Sequence, residues 1–191
     1  MKTVIIIPAR YKSTRFPGKP LTLILGKPMI LWVAELCAEV LSAEFVYIAT
    51  EDFQIKEIVE KAGFNVVITS NKCLTGTDRL AEAANQIKAD IYVNVQGDEP
   101  LLNPADILSI IEAKKIYPND VINGYSKIGD NEDPENVNIP KVIFNEDQQM
   151  VYMSRNLLPG TKTKDFVPPH YYKQVCIYAF SKKELIDYAE F

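Results

Sequence analysis

Val4-Ile5-Ile6-Ile7 is an unbroken run of β-branched residues near the start of the chain. A strand with one wet face alternates apolar and polar residues, whereas an uninterrupted run suits a strand covered on both faces, as in parallel sheets flanked by helices. The run stops at Pro8 and opens into a loop carrying Arg10, Lys12, Arg15 and Lys19, with Pro17-Gly18 shaping its far end. Six Lys and Arg precede Glu35, the first acid, in a chain whose formal net charge is −4. A local excess of positive charge in an acidic protein points to a polyanion. A loop leaving a buried strand can turn backbone N–H groups toward phosphate, Arg adds planar forks and Lys a compact charge, and together they suit a nucleoside triphosphate. The loop carries neither GxxxxGK[ST] nor GxGxxG. A solvated loop whose charges serve solubility is the competing reading.

Strands and helices then alternate. The spacing of Met29, Ile30, Val33, Leu36, Cys37 and Val40 predicts a helix over 28–41, with Pro28 near its first position. Strands are expected at 45–49 and 66–69, and between them a helix over 54–61 capped by Asp52 and ended by Gly63. In TGTDRLAEA, Thr75 or Thr77 caps the next helix, Asp78 complements its dipole, Gly76 permits close approach, and Arg79 is expected to point back toward the loop.

Asp90–Gln96 reads as a central strand that runs straight into Gly97-Asp98-Glu99-Pro100. A carboxylate just past such a strand lies where α/β sheets bind ligands. Mg²⁺ on a triphosphate takes one or two carboxylates besides phosphate oxygens and water, so Asp98 is the expected metal ligand, with Glu99 the alternative, and Gln96 a partner for base or sugar. After a helix over 104–117 the pattern changes. Strands at 121–127, 141–145, 150–154 and 175–180, with a hairpin at 146–149, predict an antiparallel second half, and a final helix begins at Ser181. One domain over 1–191 is expected, with a nucleotide-binding half over 1–118 and a sugar-facing, dimer-forming half over 119–191.

The wording PARYKSTRFPGKPL (8–21) closely resembles the signature of the cytidylyltransferases that activate sugar acids, in particular the 3-deoxy-manno-octulosonate (Kdo) cytidylyltransferase family. TGTDRLAEA (75–83) and VNVQGDEPL (93–101) resemble that family's next two signatures in the same order. The resemblance implies a Rossmann-like α/β nucleotidyltransferase fold, with a mixed, mainly parallel sheet flanked by helices. It implies that CTP and an ulosonic acid give a CMP-sugar and pyrophosphate, for bacterial lipopolysaccharide or capsule synthesis. On this likeness Pro8, Ala9, Arg10, Arg15, Lys19, Thr75, Gly76, Arg79 and Gln96 bind nucleotide, and Arg10, Arg15, Lys19 and Asp98 serve catalysis. Asp98 holds Mg²⁺, while Gln96, Arg155, Gln174 and Tyr178 meet the sugar, with the Arg155 fork on its carboxylate. A homodimer is implied too. No residue stands out as a general base.

Two departures from the family pattern stand out. Gln174 takes the place of a His expected to touch the sugar, which opens the way to a related acid such as an amino-substituted octulosonate. Family chains also run on past the position of Phe191 to a second metal carboxylate, so a truncated chain is expected. Two rivals remain: a sugar-1-phosphate nucleotidylyltransferase, whose Gly-rich opening is lacking here, and a nucleotide-binding module without catalysis. Cys37, Cys73 and Cys176 are odd in number and form no CxxC, and His170 has no second His or Cys nearby, so neither a disulfide framework nor a zinc site is expected. No run approaches the ~20 apolar residues of a membrane span. A cytoplasmic setting is the expectation, and the acidic balance argues against general nucleic-acid binding.

Overall fold

The first strand, β1 (Thr3–Pro8), is covered on both faces, and Val4, Ile5, Ile6 and Ile7 have no exposed surface. The computed structural model describes residues 1–12, 16–160, 162 and 170–190. After the basic loop come two short strands, β2 (Leu23–Ile24) and β3 (Lys27–Pro28), paired as a hairpin. Helix α1 (Met29–Ala38) follows, with Pro28 as its N-cap. Trp32 staples this hairpin to α1: its indole N–H donates to the Ile24 carbonyl at 2.9 Å, and the Lys27 ammonium lies 3.4 Å from its ring centroid.

The alternation continues through β4 (Val46–Thr50), α2 (Phe53–Lys61), β5 (Asn65–Ile68), α3 (Gly76–Ala84), β6 (Ile91–Val95) and α4 (Pro104–Ile116). Asp52 caps α2 by accepting from the Gln54 and Ile55 amides, and Gly63 follows its end with a φ of 86°. Then come β7 (Ile122–Lys127), β8 (Lys141–Phe144), β9 (Met150–Ser154), β10 (Tyr172–Phe180) and α5 (Lys182–Ala189).

The chain divides into two compact units, Met1–Ile122 with Ile177–Phe191, and Asn123–Cys176. In the first, the strand order is β5-β4-β1-β6, all parallel, and the end of β10 runs antiparallel beside β6. The chain moves outward from β1 to β4 and β5, then returns to place β6 on the other side of β1. That reversal makes the gap beyond the C-terminal ends of β1 and β6 a topological switch point, where open α/β sheets bind ligands. One face of the sheet packs on α3 and α5 through Val4, Ile6, Tyr92, Leu80, Ala84 and Leu185. In the second unit β10 pairs with β7 and β8, and β9 lies outside β8.

The hairpin between β2 and β3 carries an avoidable strain. Leu25 (φ 50°) and Gly26 (φ 82°) both have positive φ, as a primed two-residue turn requires. Gly adopts this freely and Asn tolerates it, but Leu does not. The Leu25 side chain is 92% exposed, so replacing it loses no packing. Leu25→Asn is expected to stabilise the chain by about 0.5–1 kcal/mol, raising the midpoint of a thermal melt by roughly 1–4 °C. An unchanged or lower midpoint would contradict this account of the turn.

Candidate active site

Two strand ends, those of β1 and β6, meet the start of α3 at the switch point, and two glycines let them close in. A Cβ on Gly97 would stand 3.1 Å from the Pro8 carbonyl oxygen and 3.2 Å from Ile30 Cδ1; one on Gly76 would stand 3.3 Å from Pro8 Cγ and 3.6 Å from Gln96 Nε2. Pro8, Gln96 and the first turn of α3 therefore share one wall that larger residues would push apart. The result is a cleft of about 440 Å³ in the first unit. Of the residues expected to bind or act on a nucleotide, Pro8, Ala9, Arg10, Lys19, Thr75, Gly76, Arg79, Gln96 and Asp98 all line it. Arg15 lies outside the described residues.

The basic loop is pinned at both ends. The Ala9 amide donates to the Ala49 carbonyl at 2.9 Å, and the Gly18 amide to the Tyr11 carbonyl at 2.8 Å. Gly18 has φ 71°, and a Cβ there would press on the Tyr11 ring at 3.3 Å. A single 3₁₀ turn over Lys19–Leu21 follows, and from it the Lys19 ammonium reaches the Asp98 carboxylate. Lys19 and Asp98 are both close to half exposed, so this pair is solvated and open to exchange for an incoming phosphate or metal. Of the two adjacent acids, it is Asp98 that lines the cleft.

The start of α3 completes the wall that it shares with Pro8 and Gln96. Thr75, rather than Thr77, is the N-cap: its hydroxyl accepts from the Asp78 amide at 3.1 Å, and the Asp78 carboxylate accepts from the Thr75 amide at 2.7 Å. Before it, Glu82 holds the approach by accepting from the Ser70 amide at 2.6 Å and the Cys73 thiol at 3.1 Å. Burial, with Glu82 beside it, pushes the Cys73 thiol up to about 11, which favours the protonated thiol near neutral pH. Arg79 is only 3% exposed. Its guanidinium stands 2.8 Å from Glu51 and donates to the Thr69 hydroxyl. Glu51 is a partner that sequence reading missed, because nothing in local spacing links residues 51 and 79.

A cytidylyltransferase family model matches residues 4–190. The chain belongs to the cytidylyltransferase family. The 3-deoxy-manno-octulosonate cytidylyltransferase of Escherichia coli is 36% identical over 192 residues, covering 99% of this chain and 76% of that protein. The 8-amino-3,8-dideoxy-manno-octulosonate cytidylyltransferase of Shewanella oneidensis is 38% identical, covering 96% and 76%. Among solved structures, a CMP:2-keto-3-deoxy-manno-octonic acid synthetase complexed with CTP superposes with a TM-score of 0.91 at 38% identity, covering all of this chain and 78% of its own. The mixed, mainly parallel sheet is thus a nucleotidyltransferase fold.

The residues expected to meet a sugar fall in different places in this cytidylyltransferase. Tyr178 sits on β10 beside Asn94 of β6, stacked on Phe180 with ring centroids 5.9 Å apart and packed against the α3–α5 core. Arg155 and Gln174 belong to the second unit. There the exposed Arg155 guanidinium donates to the Val137 carbonyl at 3.1 Å, while its own carbonyl accepts from the fully buried Lys141 ammonium at 2.6 Å. The Gln174 amide donates to the Pro140 carbonyl at 2.9 Å. Among the described residues no three His, Cys, Asp or Glu gather as a ready metal cage, and no helix is long and apolar enough to cross a membrane.

Proposed function

We infer that this cytidylyltransferase joins CTP to a 3-deoxy-ulosonic acid, giving the CMP-linked acid and pyrophosphate. The observation that carries the reading is the switch-point cleft, where Arg10 and Lys19 come together with Gln96 and Asp98. The solved relative complexed with CTP and the two relatives named for octulosonates support the choice of nucleotide and acid.

In this reaction the anomeric hydroxyl oxygen attacks the α-phosphorus in line. The bond from that phosphorus to the α–β bridging oxygen breaks, pyrophosphate leaves with the electron pair, and the hydroxyl proton passes to solvent. Catalysis of this kind is positioning plus neutralisation of developing charge. Arg10 and Lys19, with Arg15, hold the β- and γ-phosphates. Pro8, Ala9, Thr75, Gly76 and Gln96 enclose base and ribose, and Arg79 backs that wall. The Asp98 carboxylate fits Mg²⁺, which binds triphosphates through one or two carboxylates, phosphate oxygens and water. Bound there, the ion would add positive charge to the phosphate oxygens and make the attacking hydroxyl more acidic.

Within the second unit, Arg155 offers a bidentate fork for the acid's carboxylate and Gln174 a neutral hydrogen-bonding group for the sugar. A neutral Gln174 in place of His favours an octulosonate with an altered substituent, such as the 8-amino form. The exposed Met150, Val151, Tyr152 and Met153 of β9 favour a homodimer built on that outer strand. The need for CTP favours a cytoplasmic setting.

The test is pyrophosphate release with Mg²⁺ and CTP against Kdo, its 8-amino analogue, a sialic acid and a sugar-1-phosphate. Release with an octulosonate is expected, and the preferred acid reveals what Gln174 selects. CTP binding with no release from any of the four would sink the catalytic reading and leave a binding module.

A further inference from the structure

Beneath the cleft, four elements converge on one buried ion pair. Glu51 directly follows β4, Thr69 directly follows β5, Arg79 lies in the first turns of α3, and Tyr11 opens the basic loop after β1. The Arg79 and Glu51 side chains are 4% and 13% exposed. Glu51 Oε2 stands 2.8 Å from Arg79 Nη2 as a charge contact without hydrogen-bond alignment, and Arg79 Nη1 donates to Thr69. The other carboxylate oxygen, Oε1, accepts the Tyr11 amide at 3.2 Å. Tyr11 in turn holds the far end of the loop, through its carbonyl to Gly18 and its ring beneath Gly18. Besides the Ala9–Ala49 backbone bond, the backbone that presents Arg10 and Lys19 is thus fastened to the end of β4 through the Glu51 carboxylate.

We propose that Glu51 is a positioning residue for nucleotide binding: it ties the Tyr11 amide to the buried Arg79 and so sets where the basic loop meets the triphosphate. The inference rests on the CTP reading above. Arg79 holds Glu51 in place, and Glu51 offsets the Arg79 charge, so this arginine stiffens the wall rather than adding a mobile cation to the cleft. Removing either partner alone leaves an unpaired buried charge and endangers the fold. The informative comparison therefore removes the charges together and varies only the acceptor for Tyr11.

In an Arg79→Met background, Glu51→Gln keeps a carbonyl oxygen for the Tyr11 amide and Glu51→Ala does not. CTP binding to the two double variants is measured by calorimetry without acid substrate, beside their melting midpoints and the KM for the acid. The alanine variant is expected to bind CTP about fivefold or more weakly than the glutamine variant, with matching KM for the acid and matching midpoints. Equal CTP affinity in the two overturns the proposal, as does a loss that spreads equally to the acid and to the melting midpoint. A second measurement needs no substitution: in the unaltered chain the Tyr11 amide should exchange with solvent at least about tenfold more slowly than an unstructured amide, and unprotected exchange overturns the anchor. Failure of the unaltered chain to bind CTP would sink the parent reading and this one with it. Tight parental binding with equal double variants sinks this one alone.

Discussion

Asp98→Ala is expected to lower turnover at saturating CTP by about 10²-fold or more. Asp98 lies in the turn three residues beyond β6, whose backbone is paired with β1 on one side and β10 on the other, so the sheet sets where that turn begins. Gly97 lets that backbone pass within contact of Pro8, which brings the carboxylate to the mouth of the basic loop. Two losses are combined in the alanine variant: the negative oxygen donor proposed for a divalent ion, and the partner of Lys19. Asp98→Asn separates them, because its amide oxygen still accepts from Lys19 but carries no charge. If the charge matters through a metal, the asparagine variant should need a higher Mg²⁺ concentration for half-maximal rate, while its affinity for CTP changes little. Near-parental turnover of Asp98→Ala would refute the metal assignment. Full rescue by asparagine at unchanged Mg²⁺ would reassign Asp98 to orienting Lys19.

The elements that could be read from sequence are those whose cause is local. The β-branched run of β1, the Asp52 cap, Gly63 and Pro104 each act within a few residues, and the corresponding strands and helices stand where the pattern puts them. The β2–β3 hairpin escaped notice because Leu25 occupies a turn position where Asn or Asp would have signalled it. For the same reason the pattern puts Pro28 near the first helical position, whereas it is the N-cap and ends a two-residue strand. Strand β10 begins at Tyr172, three residues before the expected 175, since Lys173 and Gln174 interrupt the apolar pattern. Most of the cleft was legible because its residues sit in three stretches with local signals, two that follow the ends of β1 and β6 and one that starts α3. Its supports were not: residues 11, 51, 69 and 79 meet only because β1, β4 and β5 lie side by side, and strand order is a tertiary fact. The return of the chain after β10, which sets α5 against α3 within the first unit, is likewise invisible to periodicity.

That return supplies the second large effect, on stability. Lys114 of α4 is 1% exposed, yet its ammonium is fully engaged. It reaches both carboxylate oxygens of Glu184 at 2.7 Å and the carbonyls of Pro118 and Asp120 at 3.1 and 2.6 Å. Glu184 also accepts from the Ser181 amide at 2.7 Å, closing the capping box of α5, so one carboxylate both starts this helix and ties it to α4. Glu184→Ala would leave a buried ammonium with two carbonyls and no counter-charge, and would open the cap. Its expected cost is about 3–5 kcal/mol, the range for breaking a buried pair from one side. At roughly 2–4 °C per kcal/mol for a chain of this size, the thermal midpoint should fall by about 6–20 °C. Lys114→Met should cost less, because Glu184 keeps the Ser181 amide and the positive end of the α5 dipole beside it. The double variant Lys114→Met/Glu184→Ala buries no charge, and its loss should be well below the sum of the two single losses. Additive losses would show that the two side chains act independently, and a midpoint for Glu184→Ala within 2 °C of the parent (a cost below about 1 kcal/mol) would show that α5 is not held by this contact. The consequence reaches the cleft, since α5 carries Tyr188, whose hydroxyl lies 3.2 Å from that of Thr75 at the start of α3. Loosening α5 should therefore raise the KM for CTP in step with the loss of stability, whereas Glu51→Ala and Glu51→Gln, compared in the Arg79→Met background, should differ in CTP affinity at matching midpoints.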